Sequence, residues 1–289
     1  MGKSSTDRVV SAAYIVYVWR KKDATMGLFD HFRKKKEKSA AILPGFVLLS
    51  DNSLDIDLLI KYLYSDWGIA IPLADINIDD GRTSFVSSID NMLAAISLMP
   101  APVPNEEAVE NAKTNFRWTE AVSVTESHKA HIMVIVMPQE NQSVIEVGTL
   151  QTKLCYCCLK LPNAIAINTA GTVFPPEYYI NTAMLAIEER KFPIFNHVFF
   201  GIYSNDNGKT VSGYTYGLEN LGKQDIEVID STNSATDVFG FLADISSYVM
   251  DSDATLTHGE TIGFSAEQKL SITESKGVAI DGKTLKIGF

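Results

Sequence analysis

Apolar residues recur along the chain with either a helical or a strand period, and the order of the two gives the element plan. Residues 42–49 are apolar and β-rich, interrupted by Pro44 and Gly45, and read as a strand. Asp51, Asn52 and Ser53 supply a turn and a helix N-cap. Leu54, Leu58, Leu59, Tyr62 and Leu63 then recur at helical spacing up to Gly68. After a turn signal at 79–81, residues 83–89 and 92–99 read as paired strands joined around Asp90 and Asn91. Pro100, Pro102 and Pro104 stop the sheet. Asn105, Glu106 and Glu107 open a helix through Ala112, with its acids in the first turn as the macrodipole favours.

Residues 131–137 form a continuous apolar run, which predicts a strand buried on both faces. A loop at 139–142 leads to a helix over 143–161 that Pro162 ends. A strand follows at 164–168 and a loop at 169–172. The prolines at 175 and 176 break the chain before a helix over 179–190. Residues 195–203 read as a strand, 205–208 as a hairpin turn and 210–218 as its second arm. A strand at 225–230 precedes a helix over 237–250, with Val238, Phe241, Leu242, Ile245 and Val249 on one face. Short strands at 260–264, 269–275 and 283–287 close the chain. The order strand-helix-strand-strand occurs about twice, without a sequence repeat. It predicts an α+β fold of mixed, largely antiparallel sheets with helices on one face, built from split βαβ-like units. The expected division is a basic segment at 1–40, an α+β unit at 41–125 and a C-terminal α+β domain at 126–289.

Composition narrows the class. With 46% hydrophobic and 21% charged residues in 289, the chain is ordinary globular protein rather than disordered or collagen-like. Three cysteines exclude a disulfide scaffold and suit a reducing, cytoplasmic compartment. No apolar run reaches the roughly 18 residues of a membrane span.

Charge is unevenly spread. Residues 1–40 hold ten basic and four acidic residues, so the net −10 of the whole chain leaves −16 for the remainder. An acidic body repels phosphate backbones, which argues against nucleic acid and for a basic protein partner. The basic residues cluster at 20–22 and 33–36, the second run within Met-Gly-Leu-Phe-Asp-His-Phe-Arg-Lys-Lys-Lys. That stretch looks like the opening of a bacterial cytosolic protein, with Met26 as the start and 1–25 as an upstream extension. Residues 9–19 read as a strand; they are too short for a signal peptide and no cleavage site follows. Leu28, Phe29 and Phe32 share a helical face that touches an anionic membrane weakly at most, so stable insertion is not expected.

Candidate chemistry is sparse. The chain has no phosphate-binding P-loop, dinucleotide fingerprint, zinc-protease helix or nucleophile elbow. Cys155, Cys157 and Cys158 lie in an apolar helical run without a second ligand pair, so they read as packing thiols rather than a metal site. His128 and His131 precede a strand, where that spacing turns the rings to opposite faces. His197 and His31 have no companion signal. No metal and no cofactor is expected.

The most distinctive block spans 213–230, where Gly217 and Gly222 bracket a short turn. Thr215, Tyr216, Glu219, Asp225 and Glu227 gather polar groups there, and His258 lies in a similar small, polar stretch. Glu219 and Glu227 make an acid/base pair one reading, rim charges another and partner contacts a third. No catalytic residue is assigned, and the missing signatures weigh against an enzyme without excluding one.

The stretch Thr-Tyr-Gly-Leu-Glu-Asn-Leu-Gly-Lys-Gln-Asp-Ile-Glu-Val at 215–228 follows Leu-Met-Pro-Ala-Pro-Val-Pro at 98–104 and His-Lys-Ala-His-Ile-Met-Val-Ile-Val at 128–136. It precedes His-Gly-Glu-Thr-Ile-Gly-Phe at 258–264. Together they resemble the uncharacterised bacterial DUF4261 family, whose defining segment corresponds to about 200–289. The resemblance implies no activity and no catalytic residues; by analogy it implies an immunity or accessory protein of a toxin or secretion system. The leading expectation is therefore a non-catalytic, cytosolic, protein-binding module. The rival is a small-molecule site or enzyme using a cleft near Thr215, Tyr216, Glu227 and His258. Oligomeric state is left open.

Overall fold

The computed structural model describes residues 43–79, 82–138, 141–205, 208–263, 265 and 268–289. The expected strand at 9–19, the amphipathic turn at 28–32, His31 and the basic runs lie outside the described residues. So do turn residues 80–81 and 206–207, and Phe264. Among the described residues, seven α-helices and thirteen strands make an α+β protein with two mostly antiparallel sheets. They fall into two compact units, 43–197 and 198–289.

The first unit holds β1 (Gly45–Leu49), β2 (Ile76–Asp79), β3 (Arg82–Ile89), β4 (Met92–Met99), β5 (Ala130–Pro138), β6 (Ala164–Thr169) and β7 (Thr172–Phe174). They form one sheet in the order β2-β3-β4-β5-β1-β6-β7. β4 is the hydrogen-bonded neighbour of β5, so the boundary expected at 125/126 cuts through a continuous sheet. The division falls at 197/198 instead. Local pattern cannot reveal this, because the first and fifth strands pair across some 80 residues of chain.

Six helices join this sheet: α1 (Ile56–Trp67), α2 (Glu107–Ala112), α3 (Ala121–Glu126), α4 (Val144–Leu159), α5 (Pro176–Glu188) and α6 (Ile194–His197). β5 and β6 both run antiparallel to β1, which lies between them, so β5-α4-β6 is a split βαβ unit. The helices lie on both faces rather than one. Gly45 of β1 faces α4, where an added Cβ would sit 2.7 Å from Cys155 Sγ. The adjacent Phe46, and Leu48 beyond it, pack with Ala108, Ala112 and Ala121 of α2 and α3 on the opposite face.

Several ends differ from the sequence reading for local reasons. α1 is capped by Asp55, whose carboxylate accepts from Leu58 N at 2.9 Å, while Asp51 instead closes a turn onto Ser53 N. Gly68, with φ +67°, ends the helix as expected. Pro175 and Pro176 start α5 rather than delaying it, because proline at the first helical position loses no hydrogen bond. The expected loop at 169–172 is a hairpin turn: Ala170 (φ 50°) and Gly171 (φ 67°) join β6 to β7. Residues 194–197 are helical, so the expected strand begins only at Phe199.

The second unit contains β8 (Phe199–Asn205), β9 (Thr210–Tyr216), β10 (Ile226–Ser231), α7 (Ala235–Asp251), β11 (Thr261–Ile262), β12 (Leu270–Lys276) and β13 (Lys283–Ile287). The sheet order is β11-β12-β13-β10-β9-β8, with β10 and β13 parallel. Ser234 and Asp237 cap α7 reciprocally. The helix lies on β8 and β9 so closely that a Cβ on Gly213 would meet Ile202, Leu242 and Val238 within 3 Å. No helix among the described residues is long and apolar enough to cross a membrane.

Candidate functional site

The block at 213–230 folds as β9, a short 3-10 turn at Leu218–Leu221, and β10. Gly217 (φ 122°) and Gly222 (φ 78°) bracket that turn, conformations that side-chain-bearing residues avoid. Asp225 stands just before β10 and is buried. Its carboxylate accepts from Thr215 Oγ1 at 2.9 Å, Leu218 N at 3.0 Å and Gly217 N at 3.3 Å. Thr215 Oγ1 in turn accepts from Ile226 N at 2.8 Å. Burial pushes the Asp225 carboxyl up to about 6 against the pull of its hydrogen bonds, and the nearby charge of Glu219 adds to the push. Thr215 and Asp225 are thus brought together, as the closure of a turn.

Glu227 is fully buried on the other face of the sheet. Its register partner on β9 is Tyr214, whereas Gly213 and Thr215 alternate toward α7. Its carboxylate accepts from Val278 N, Ala279 N at 2.7 Å and Thr284 Oγ1 at 2.8 Å, and pairs with Lys286 Nζ at 2.7 Å. Burial opposes ionisation, but these donors together hold Glu227 below the usual carboxylate range. The parallel pairing of β10 with β13 sets Glu227 beside Lys286. Its chemistry is structural: it pins the loop between β12 and β13.

Three candidates remain. Tyr216 ends β9, partly buried, in register with Phe199 and on the same face of the sheet as Tyr214 and Glu227. Glu219 is partly exposed on the 3-10 turn. His258 is exposed, and its Nδ1 accepts from Glu274 N of β12 at 3.1 Å. Thr215, Tyr216, Glu227 and His258 therefore do not line one cleft. Glu219 and Glu227 are not an acid/base pair, because the second is enclosed by donors.

The histidines and cysteines serve packing. His128 Nε2 accepts from Val103 N at 2.9 Å, and its Nδ1 bonds the Thr125 carbonyl. His131 Nδ1 donates to the Ala101 carbonyl at 2.9 Å, and burial lowers its basicity. The two rings thus tie down the proline-rich segment after β4. Burial raises the Cys155 and Cys157 thiols to about 12, and Cys158 well above its ordinary value. No group of three or more His, Cys, Asp or Glu able to hold a metal occurs among the described residues.

His197 carried no signal in the sequence, yet it organises a polar cluster in the core. Its Nε2 donates to the Gly148 carbonyl at 3.0 Å and lies 2.8 Å from Thr152 Oγ1. Phe192 stacks on the ring, and burial lowers its pKa to about 4, so it is neutral near pH 7. Its partners lie on α4, almost 50 residues back, and local pattern cannot show them.

Residues 214–288 match the model of a domain of unknown function, DUF4261, which is the family and the place read from the sequence. The matched segment runs from β9 to the end of β13, and includes both the Asp225 turn closure and the Glu227–Lys286 pair. Comparison with curated proteins and with solved structures gives no match.

Proposed function

We propose that this chain is a non-catalytic protein-binding module of the bacterial cytosol, with a basic partner. The observation that carries the reading is that, among the described residues, the buried titratable and nucleophilic groups are engaged in building the fold. Asp225 closes a turn, Glu227 is enclosed by four donor groups, His197 is a buried neutral ring and the thiols are buried. The net −16 of the chain beyond residue 40 supports a basic partner, since opposite charge speeds encounter and steers register. An immunity or accessory role in a toxin or secretion system fits the same reading.

The test is a pull-down with the full chain from native-host lysate at low and at physiological salt, read by mass spectrometry. One stoichiometric partner of high isoelectric point, retained better at low salt, is the expected result. A preparation without a partner, together with a metabolite that raises the melting temperature, would instead establish a ligand-binding role.

A further inference from the structure

Strand β4 ends at Met99, whose register partner on β5 is His131. Beyond it, prolines stand at 100, 102 and 104. Proline has no N–H to donate, so residues 100–106 cannot extend the ladder as a strand would. Ala101 and Pro102 are exposed, but Val103 is buried in the apolar cluster of Phe46, Ala108 and Ala112. A buried backbone N–H needs an acceptor, and here a side chain supplies it: His128 Nε2 accepts from Val103 N at 2.9 Å. His131 Nδ1 holds the Ala101 carbonyl at 2.9 Å. Among the described residues, these are the two hydrogen bonds that tie 101–103 to the rest of the first unit. Just past them, Asn105 (φ 59°) and Glu106 (φ 56°) are consecutive left-handed residues, a strained exit into α2.

The tautomer of His128 follows from its partners. A carbonyl only accepts, so Nδ1, at the Thr125 carbonyl, carries the proton. Nε2 is then the bare nitrogen, as the Val103 N–H requires. The bonded ring is neutral. A second proton, on Nε2, would set one donor against another and cancel the bond. His131 differs: its Nδ1–H donates to Ala101 in either charge state. Burial, and His128 beside it, hold the basicity of His131 down. Around the His128 ring, α3 presents the Thr125 carbonyl, the proline-rich segment the Val103 amide and β5 the His131 ring. Of the charged groups nearest along the chain, Glu106, Glu126 and Lys129 are exposed, and Glu107 is buried at the start of α2.

We propose that residues 100–106 form a proton-operated strap, closed over the α2–α3 cluster while His128 is neutral and released with the uptake of one proton at His128 Nε2. Imidazole is the side chain suited to such a switch near physiological pH. The strained pair at 105–106 favours the released form. Release lifts Val103 from its seat and opens apolar surface beside α2 on acidification. This device does not depend on the protein-binding reading.

The experiment follows the Val103 amide of the full chain by hydrogen exchange in NMR from about pH 7.5 to about pH 5, with rates corrected for their intrinsic pH dependence. Release coupled to one proton should raise the opening constant about tenfold for each unit of falling pH. Amides in the middle of β4, such as that of Ile96, should stay protected, which marks local release rather than unfolding. His128→Gln offers Val103 N an oxygen that does not titrate, and should keep the strap closed throughout. His258→Gln, at an exposed histidine of the second unit, should behave as wild type. If His128→Gln does not fold, the ring-nitrogen shifts of the wild type decide. They should show Nε2 of His128 bare at neutral pH and protonated in step with the loss of Val103 protection. Val103 protection that ignores pH overturns the proposal. So does a proton on His128 Nε2 at neutral pH, or an unchanged pH dependence in the His128→Gln chain.

Discussion

Two buried carboxylates, Asp225 and Glu227, sit two residues apart and respond to pH in opposite directions. Asp225 has its folded-state value raised to about 6, so the folded chain holds this proton more tightly than the unfolded chain does. Its contribution is full below about pH 4 and is lost as pH rises through about 6, a change on the order of 3 kcal/mol. Asp225→Asn should flatten that part of the urea-unfolding stability curve; a curve parallel to wild type would refute the assignment. Glu227 is lowered in the folded state. Its contribution is present above about pH 4.5 and is lost as pH falls through its depressed value. Lys286→Met leaves that carboxylate buried without its cation and should cost about 3 kcal/mol. Adding Glu227→Gln to Lys286→Met should recover part of the loss, and a double-mutant cycle without coupling would contradict the pairing. The sequence marked both carboxylates as notable. It could not say that Glu227 serves the fold, because Lys286 and the 278–279 amides come from far along the chain.

At the scale of elements, the hairpin β8–β9 shows how two glycines set a spacing. Gly201 and Gly213 lie in adjacent register positions and face opposite sides, one against the Tyr214 ring and the other against α7. Gly213→Ala should destabilise by about 1–3 kcal/mol through overpacking against Val238 and Leu242, measurable as a lower denaturation midpoint at unchanged slope. Element positions were largely legible. The period of 42–68, the Asp90–Asn91 turn and the apolar face of α7 sufficed, because each is a local preference. Ends were less legible where two local rules competed. Proline at 175 and 176 both breaks and starts helices, and only the settled chain shows that it starts α5. Short hairpins such as β6–β7 are too brief for a period to register.

At the scale of the whole molecule, the acidic excess bears on the proposed partner. Association with a basic partner of the kind proposed should slow steeply with ionic strength while dissociation changes less, measured by surface plasmon resonance across a salt series. Equal association rates at all salt concentrations would remove charge steering from the account.

The sequence by itself determined the α+β class, the order of the main helices and strands, the acidic body and the family of the C-terminal segment. These follow from periodicity, composition and short-range motif, which need no knowledge of distant partners. The tertiary structure decided where the two units divide, which helices cover which face, and the separation of the expected cleft residues. Among the described residues it also left Val86 and Met99 exposed on β3 and β4. Each of these depends on strand pairings between residues far apart in the chain, and pairing is fixed by the combined packing of both faces rather than by any one segment.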